Sequence, residues 1–303
     1  MKISAFLDML SPTIEEQFEY AKKMKLGYIS LRSVNGKKLY QLGDYDIETV
    51  NNLQRDYKIK VIELDASIEP YDCYDDLAHN EAIAKVIKVS NVANKIGVLN
   101  IVITLPTFRH LSVPDHNQVI KRIKDYSKVT DKAKRRLLLI RSEEEMGGSF
   151  TIIANGAKSK YVGVIFSPEA TYKSKDSITT SYRVLKSQIC ALRVSDFVGK
   201  NPQLLGYGEA EILELFKRVK QDGIDEYLTL DVDFGKLVAD INKITVPQEK
   251  KGIKKFFGGF VNNEKKSKEY LLFKKRLMVD ESDEISHFQI IENQIQVLNK
   301  LFR

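Results

Sequence analysis

Residues 80–105 read NEAIAKVIKVSNVANKIGVLNIVITL, and this stretch decides the fold. Ile83, Val86, Ile87, Ala93 and Ile96 recur at the three- and four-residue spacing of one helical face. The run stops at Gly97, the residue type that most readily takes the left-handed conformation closing a helix. Val98–Leu105 then reads as a strand, and Lys60–Asp65 upstream reads as another. The unit is therefore strand, helix, strand.

The same alternation runs in both directions. Strands are expected at Ile3–Leu10, Tyr28–Arg32, Lys60–Asp65 and Val98–Leu105, then at Arg136–Arg141, Tyr161–Phe166, Ile189–Val194 and Glu226–Val232. Helices are expected over Thr13–Lys25, Asp46–Tyr57, Asn80–Ile96, Asn117–Thr130, Ser177–Leu185 and Glu209–Gln221, with Ser282–Phe302 closing the chain. Ser149–Lys158 reads as a short helix or an irregular link. Thr13 is a candidate N-cap, followed by Glu15 and Glu16 in the first turn and by Lys22, Lys23 and Lys25 at the end, as the helix dipole favours. Eight strands with intervening helices predict an α/β chain folded as a (β/α)8 TIM barrel. An open doubly wound sheet would carry a Gly-rich turn after an early strand. The one glycine pair, Gly206-Tyr207-Gly208, follows strand seven and reads as turn geometry.

At 303 residues the chain suits one such barrel, and residues 1–303 are expected to be a single domain. Residues 234–281 are too long for an ordinary connection. They are expected to be an insertion over the C-terminal face of the barrel. The net charge is +7, and the seven lysines and single glutamate of residues 250–268 account for six of those charges. The basicity is thus local, and no specific nucleic-acid partner is expected. The lysines and phenylalanines of 250–260 read as a solvated lid or an excursion packing its three Phe on the barrel, or as a surface for anionic lipid, non-specific nucleic acid or an acidic partner. No apolar run approaches the length of a membrane span. The N-terminus reaches Asp8 too soon for a secretory signal. A cytoplasmic protein is expected. Cys73 and Cys190 are far apart and form no Cys-x-x-Cys pair, so two reduced, inert thiols are expected. The sequence carries no signal for an oligomeric state.

Residues 28–38, Tyr-Ile-Ser-Leu-Arg-Ser-Val-Asn-Gly-Lys-Lys, resemble the second-strand segment of a branch of the xylose isomerase-like sugar phosphate isomerase/epimerase family. The resemblance extends over residues 1–234. It implies a divalent-metal site at the C-terminal ends of the strands and proton transfer next to a sugar carbonyl. The implied ligands are a Glu after strand five, an acid after strand six, a His after strand seven and a Glu after strand eight. In this chain those positions fall on Arg141, Ser167, Arg193 and Asp231. Asp196 keeps the acid of the strand-seven motif, and Gly206 and Gly208 keep its glycine pair. Glu143 coincides with the second Glu of the strand-five motif.

A guanidinium cannot lose its proton and cannot ligate a metal. With Arg141 and Arg193 at two of the four positions, no bound divalent metal and no other cofactor is expected. The arginines either fill the vacated space and pair with Asp231, or grip a carboxylate or phosphate. The candidate substrate-binding residues are Arg32, Arg141, Ser167 and Arg193, and the candidate proton carriers are Asp231, Glu143 and Asp196. Each has a plainer reading: Arg32 as half of a buried ion pair, Glu143 as part of a solvated loop, Asp196 as a loop cap. Arg109 has a weaker claim to the basic ring. His110 and His116 are expected in the loop after strand four, with surface roles. Relatives of this family that cleave DNA at abasic sites need many His and acidic ligands, which four scattered histidines do not supply. Two functions remain open. One is an isomerase- or epimerase-like enzyme acting on a small anionic sugar or sugar acid without metal. The other is a catalytically inactive barrel that binds an anionic ligand or regulates.

Overall fold

The structure is a computed structural model and describes residues 1–107, 112–141, 148–245, 268, 270–280 and 283–302. The chain parts into two compact units, residues 1–232 with Phe302 and residues 233–301.

The first unit contains eight parallel strands: β1 Lys2–Ala5, β2 Tyr28–Leu31, β3 Lys60–Asp65, β4 Asn100–Thr104, β5 Arg136–Ile140, β6 Val162–Phe166, β7 Ile189–Val194 and β8 Tyr227–Leu230. Their order in the sheet is β1-β8-β7-β6-β5-β4-β3-β2. The two ends of this sheet meet at a single parallel bridge between Phe6 and Ser30, which nearly closes the barrel. Inside that seam the Ser30 hydroxyl lies 2.8 Å from the Ser4 hydroxyl and 3.1 Å from that of Thr229. All three are buried, so side-chain hydrogen bonds do there what a backbone ladder does elsewhere. Val102, Leu138, Ile140, Ile165, Ala191 and Tyr227 pack into one buried apolar cluster.

The helices of this unit are α1 Ile14–Lys23, α2 Asp44–Tyr57, α3 Asp76–Ile96, α4 Val113–Lys132, α5 Ser149–Ala157, α6 Pro168–Lys173, α7 Ile178–Leu185 and α8 Ile212–Gln221. The expected (β/α)8 architecture is present, and all eight strands lie where the sequence places them. The differences concern ends and have local causes. Asp75 accepts a hydrogen bond from the Ala78 N–H, so α3 starts four residues before the expected Asn80. It ends at Gly97 with φ +78°. Ser112 caps α4 and Pro114 sits in its first turn. This corrects the placement of His116, which is a buried helical residue whose Nε2 lies 3.1 Å from the Ser149 hydroxyl. His110 and Arg109 lie outside the described residues.

Two antiparallel ribbons were not expected from the sequence: Ser33–Val34 with Lys37–Lys38, and Asp196–Val198 with Asn201–Gln203. Short α6 was not expected either. The second unit holds α9 Gly235–Thr245 and α10 His287–Leu301. Asn242 fastens it by donating to the Ile285 carbonyl and accepting from the Ile285 N–H. The Phe234 N–H donates to His287 Nε2 at 3.0 Å. Of the lysine-rich run 250–268, only Lys268 is among the described residues. No helix among the described residues is long and apolar enough to cross a membrane.

Candidate functional site

Side chains two residues apart on a strand share a face. On β3 this places Glu63 and Asp65 together. Glu63 is fully buried; it accepts from the Tyr227 hydroxyl at 2.8 Å and from Arg193 Nη2 at 3.4 Å. Burial pushes its carboxyl above the usual range, and the neighbouring Arg193 only partly offsets this. Asp65 accepts from Arg193 Nη1 at 2.8 Å and from the Ser67 N–H at 2.9 Å. Arg193 Nη1 also lies 3.8 Å from Asp231. Burial opposes the Arg193 charge, but Asp65, Glu63 and Asp231 together hold its pKa above the ordinary value.

Asp231 follows β8 and is gripped from its other side by Arg32, whose Nη2 and Nη1 lie 3.0 and 3.5 Å from its oxygens. Arg32 Nε donates to Asp8 at 2.8 Å. The carbon of the Arg32 guanidinium is 4.2 Å from the centre of the Phe6 ring, and that of Arg193 is 4.9 Å away. The aromatic face therefore stabilises both cations. A continuous polar network thus runs from Tyr227 through Glu63, Arg193 and Asp231 to Arg32 and Asp8. It runs from the barrel interior, at the first residue of β8, to Arg193, Asp231 and Arg32 at the C-terminal ends of the strands, where barrels of this kind carry their sites.

A pocket of about 230 Å³ opens beside it, lined by Thr104, Ile140, Arg141, Ser167, Glu169, Ala170, Arg193, Ser195 and Asp231. Arg141 Nη1 donates to Asp176 at 2.6 Å. Ser167 caps α6 by accepting from the Ala170 N–H. Glu169, in the first turn of α6, accepts from the Ser195 hydroxyl and pairs with Lys173 at 2.7 Å. The wall therefore carries two guanidiniums, two carboxylates and three hydroxyls.

Of the residues singled out in the sequence, Arg141, Ser167, Arg193 and Asp231 line this one pocket, and Arg32 supports it through Asp231. Asp196 does not line it. Asp196 is almost wholly buried and accepts from the backbone N–H groups of Phe197, Gly206, Gly208 and Ala210 at 2.8–3.2 Å. Its plainer reading, a loop cap, is what the geometry displays. Glu143 lies outside the described residues. The sequence reading passed over Asp8, Glu63, Asp65 and Glu169. The period-two spacing of Glu63 and Asp65 at the buried end of a strand whose Val61, Ile62 and Leu64 are apolar was the available signal, because charges inside a barrel require partners. For Glu169 it was an acid in the first turn after Ser167-Pro168.

The residues present do not fit the divalent ion that the resemblance implies. Of the four corresponding positions only Asp231 offers a carboxylate, and guanidinium nitrogens stand against both of its oxygens. Among the described residues no group of three or more His, Cys, Asp or Glu is arranged to hold a metal.

Fold and site together define a xylose isomerase-like (β/α)8 barrel with a polar pocket at its strand ends. Among solved structures the same fold occurs in the probable 3-DHS dehydratase AsbF of Bacillus anthracis, described as involved in petrobactin synthesis. That structure is 13% identical with a TM-score of 0.65, and the match covers 99% of each chain. A D-tagatose 3-epimerase-like protein is 12% identical with a TM-score of 0.65, covering 92% of this chain and 100% of its own. The IolI protein with a bound zinc atom is 14% identical with a TM-score of 0.64, covering 78% and 90%. At such identities the likeness establishes the fold. No protein-family model and no curated protein matches the sequence.

Proposed function

We propose that this protein acts on a small anionic carbohydrate, as an isomerase- or epimerase-type catalyst of proton transfer that uses no divalent metal. The observation that carries the proposal is the composition of the pocket: Arg141 and Arg193 for an anionic group, hydroxyls of Thr104, Ser167 and Ser195 for a polyhydroxylated chain, and carboxylates within the same 230 Å³. The D-tagatose 3-epimerase-like neighbour supports a sugar as ligand. Glu169 is assigned the proton. Asp231 has both of its oxygens facing guanidinium nitrogens, and Asp196 is taken up by backbone donors. Arg32 holds Asp231 and Asp8 and does not contact the ligand.

A thermal-shift screen of sugar phosphates, sugar acids, neutral sugars and phosphate in EDTA tests the ligand class. A rise with an anionic sugar supports it, and no rise with any of them refutes it. With the ligand identified, Glu169→Gln is expected to lower turnover by about 10²–10⁴-fold, the usual contribution of a general base, while binding persists. Unchanged turnover would remove Glu169 from the mechanism. The mutual pairing of Arg193 and Asp231 favours a second reading, an inactive barrel that only binds the anion. Ligand binding without conversion in the unmodified protein selects that reading.

A further inference from the structure

Charge is distributed unevenly between the two ends of the barrel. In each helix that precedes a strand, the last two residues and the connection to that strand lie at the N-terminal end, opposite the pocket. These stretches are residues 22–28, 56–60, 95–100, 131–136, 156–162, 184–189 and 220–227, and residues 1–2 join them. Together they hold fifteen Lys and Arg against five Asp and Glu, a net charge of +10. The whole chain carries +7, of which residues 250–268 carry +6, so everything else sums to −9. The overall charge hides this asymmetry. Thirteen of the fifteen cations are lysines, and all thirteen are exposed. Lys95 and Lys186 pair with Asp44 and Asp222. The other eleven form no ion pair among the described residues. A helix dipole favours cations in the last turn, and its reach ends there. Lys2, Lys60 and Lys160 lie beyond it. Lys25, Lys58 and Lys134 follow helix ends with φ of +57°, +57° and +54°, a conformation that favours glycine. Helix building therefore calls for lysine at none of these six positions.

We propose that the N-terminal end of the barrel docks on an anionic lipid leaflet and leaves the pocket facing solution. The cations are spread around the whole end, from β2 and β3 to β5 and β6, and do not follow one stripe. A plane of headgroups meets all of them, whereas a nucleic-acid rod meets only those along one line. Lysine attracts as a point charge and lacks the fork with which arginine reads single phosphates. Leu99 and Tyr161, 49% and 39% exposed among these lysines, supply the shallow apolar and aromatic contact of an interfacial surface. The same leaflet repels the negative remainder of the chain. The surface is read from charge alone and does not depend on the carbohydrate reading, which is tested with sugars.

The test is co-sedimentation of the full chain with sucrose-loaded phosphatidylcholine vesicles containing about 30% phosphatidylserine in about 0.1 M NaCl. Binding is expected there, with none to phosphatidylcholine alone and release at about 0.5 M NaCl. One variant combines Lys132→Gln, Lys134→Gln, Lys158→Gln and Lys160→Gln, beside β5 and β6. A second combines Lys22→Gln, Lys25→Gln, Lys58→Gln and Lys60→Gln, beside β2 and β3, with β4 between the two sets on one side and β7, β8 and β1 on the other. A lysine held against an anionic leaflet contributes roughly fivefold in affinity, so each variant is expected to bind at least about 100-fold more weakly. Lys250→Gln, Lys251→Gln, Lys254→Gln and Lys255→Gln together form the control and are expected to keep most of the binding. An unmodified protein that ignores the charged vesicles overturns the proposal, as does a folded face variant that binds them equally well. A loss confined to the control assigns the binding to that run and overturns it too. Tighter binding to duplex DNA of mixed sequence than to the vesicles, lost in either face variant, overturns it in favour of nucleic acid. Melting midpoints establish that the variants fold; if one does not, the other decides.

Discussion

Replacing Asp196 separates a loop cap from a proton carrier. Its Oδ2 accepts from the Gly206 and Gly208 N–H groups at 2.8 and 2.9 Å, and its Oδ1 from Phe197 and Ala210 at 3.0 and 3.2 Å. Hydrogen bonds to a charged acceptor contribute roughly 1.5–3 kcal/mol each, and stranding a buried donor costs a similar amount. Asn keeps one oxygen and turns an amide N–H₂ toward two backbone donors. Two of the four contacts are lost, and Asp196→Asn is expected to cost about 2–4 kcal/mol after partial relaxation. That lowers the melting midpoint by roughly 3–8 °C, measured by calorimetry or circular dichroism. Asp196→Ala is expected to cost more. Gly208→Ala probes the same contact from the other side, because the added Cβ would fall on Asp196 Oδ1 and 2.5 Å from the Phe197 carbonyl oxygen. A folded Asp196→Asn within about 1 °C of the unmodified protein would refute the cap and return Asp196 to the candidates for proton transfer.

Two further outcomes concern the scaffold. A Cβ on Gly163 would fall on Cys190 Sγ and 3.2 Å from Leu138. Gly163→Ala is therefore expected to cost about 1–3 kcal/mol by overpacking, and Cys190→Ala in the same chain is expected to recover most of it; a double-mutant cycle without coupling contradicts this contact. His79, bonded to the Tyr71 hydroxyl at 2.7 Å, has its pKa lowered by burial and by Arg122, against the opposing pull of Asp125. With the folded value below the unfolded one of about 6.5, the unfolded chain binds more protons just below that pH. The contribution is present above about pH 6.5 and lost as pH falls through it. The His79 ring resonances are expected to titrate below pH 6.5 in NMR spectra, and a midpoint at or above that value contradicts the burial argument.

The strand ends were legible because spacing along the chain counts strands, and the C-terminal end of each strand is where the barrel places its site. Thus Arg141, Ser167, Arg193 and Asp231 are recognisable from their places at strand ends, and they line one pocket. What was not legible is who pairs with whom across the barrel. Arg193 meets Asp65, which lies far away in sequence on a strand that is not its ladder neighbour. No local pattern encodes that meeting; only the closed curvature of the sheet creates it. Asp196 illustrates the reverse case. The motif that drew attention to it is preserved, yet three of the four donors that occupy it come from a turn ten and more residues on. The position of His116 turned on Ser112 and Pro114, whose capping extended a helix into what read as a loop.

The seam between β1 and β2 has a consequence for how the chain is made. Of the eight barrel strands β1 is synthesised before the others, and its ladder partner is β8, where Ser4 pairs with Thr229. Toward β2 it has one bridge and a pair of hydroxyls. Until residue 230 is synthesised, β1 lacks its backbone partner, and the edge it will protect stays exposed. Closure of the barrel is therefore a late event, held back until nearly the whole sheet exists. Nascent chains shorter than this are the ones that need shielding from edge-to-edge association.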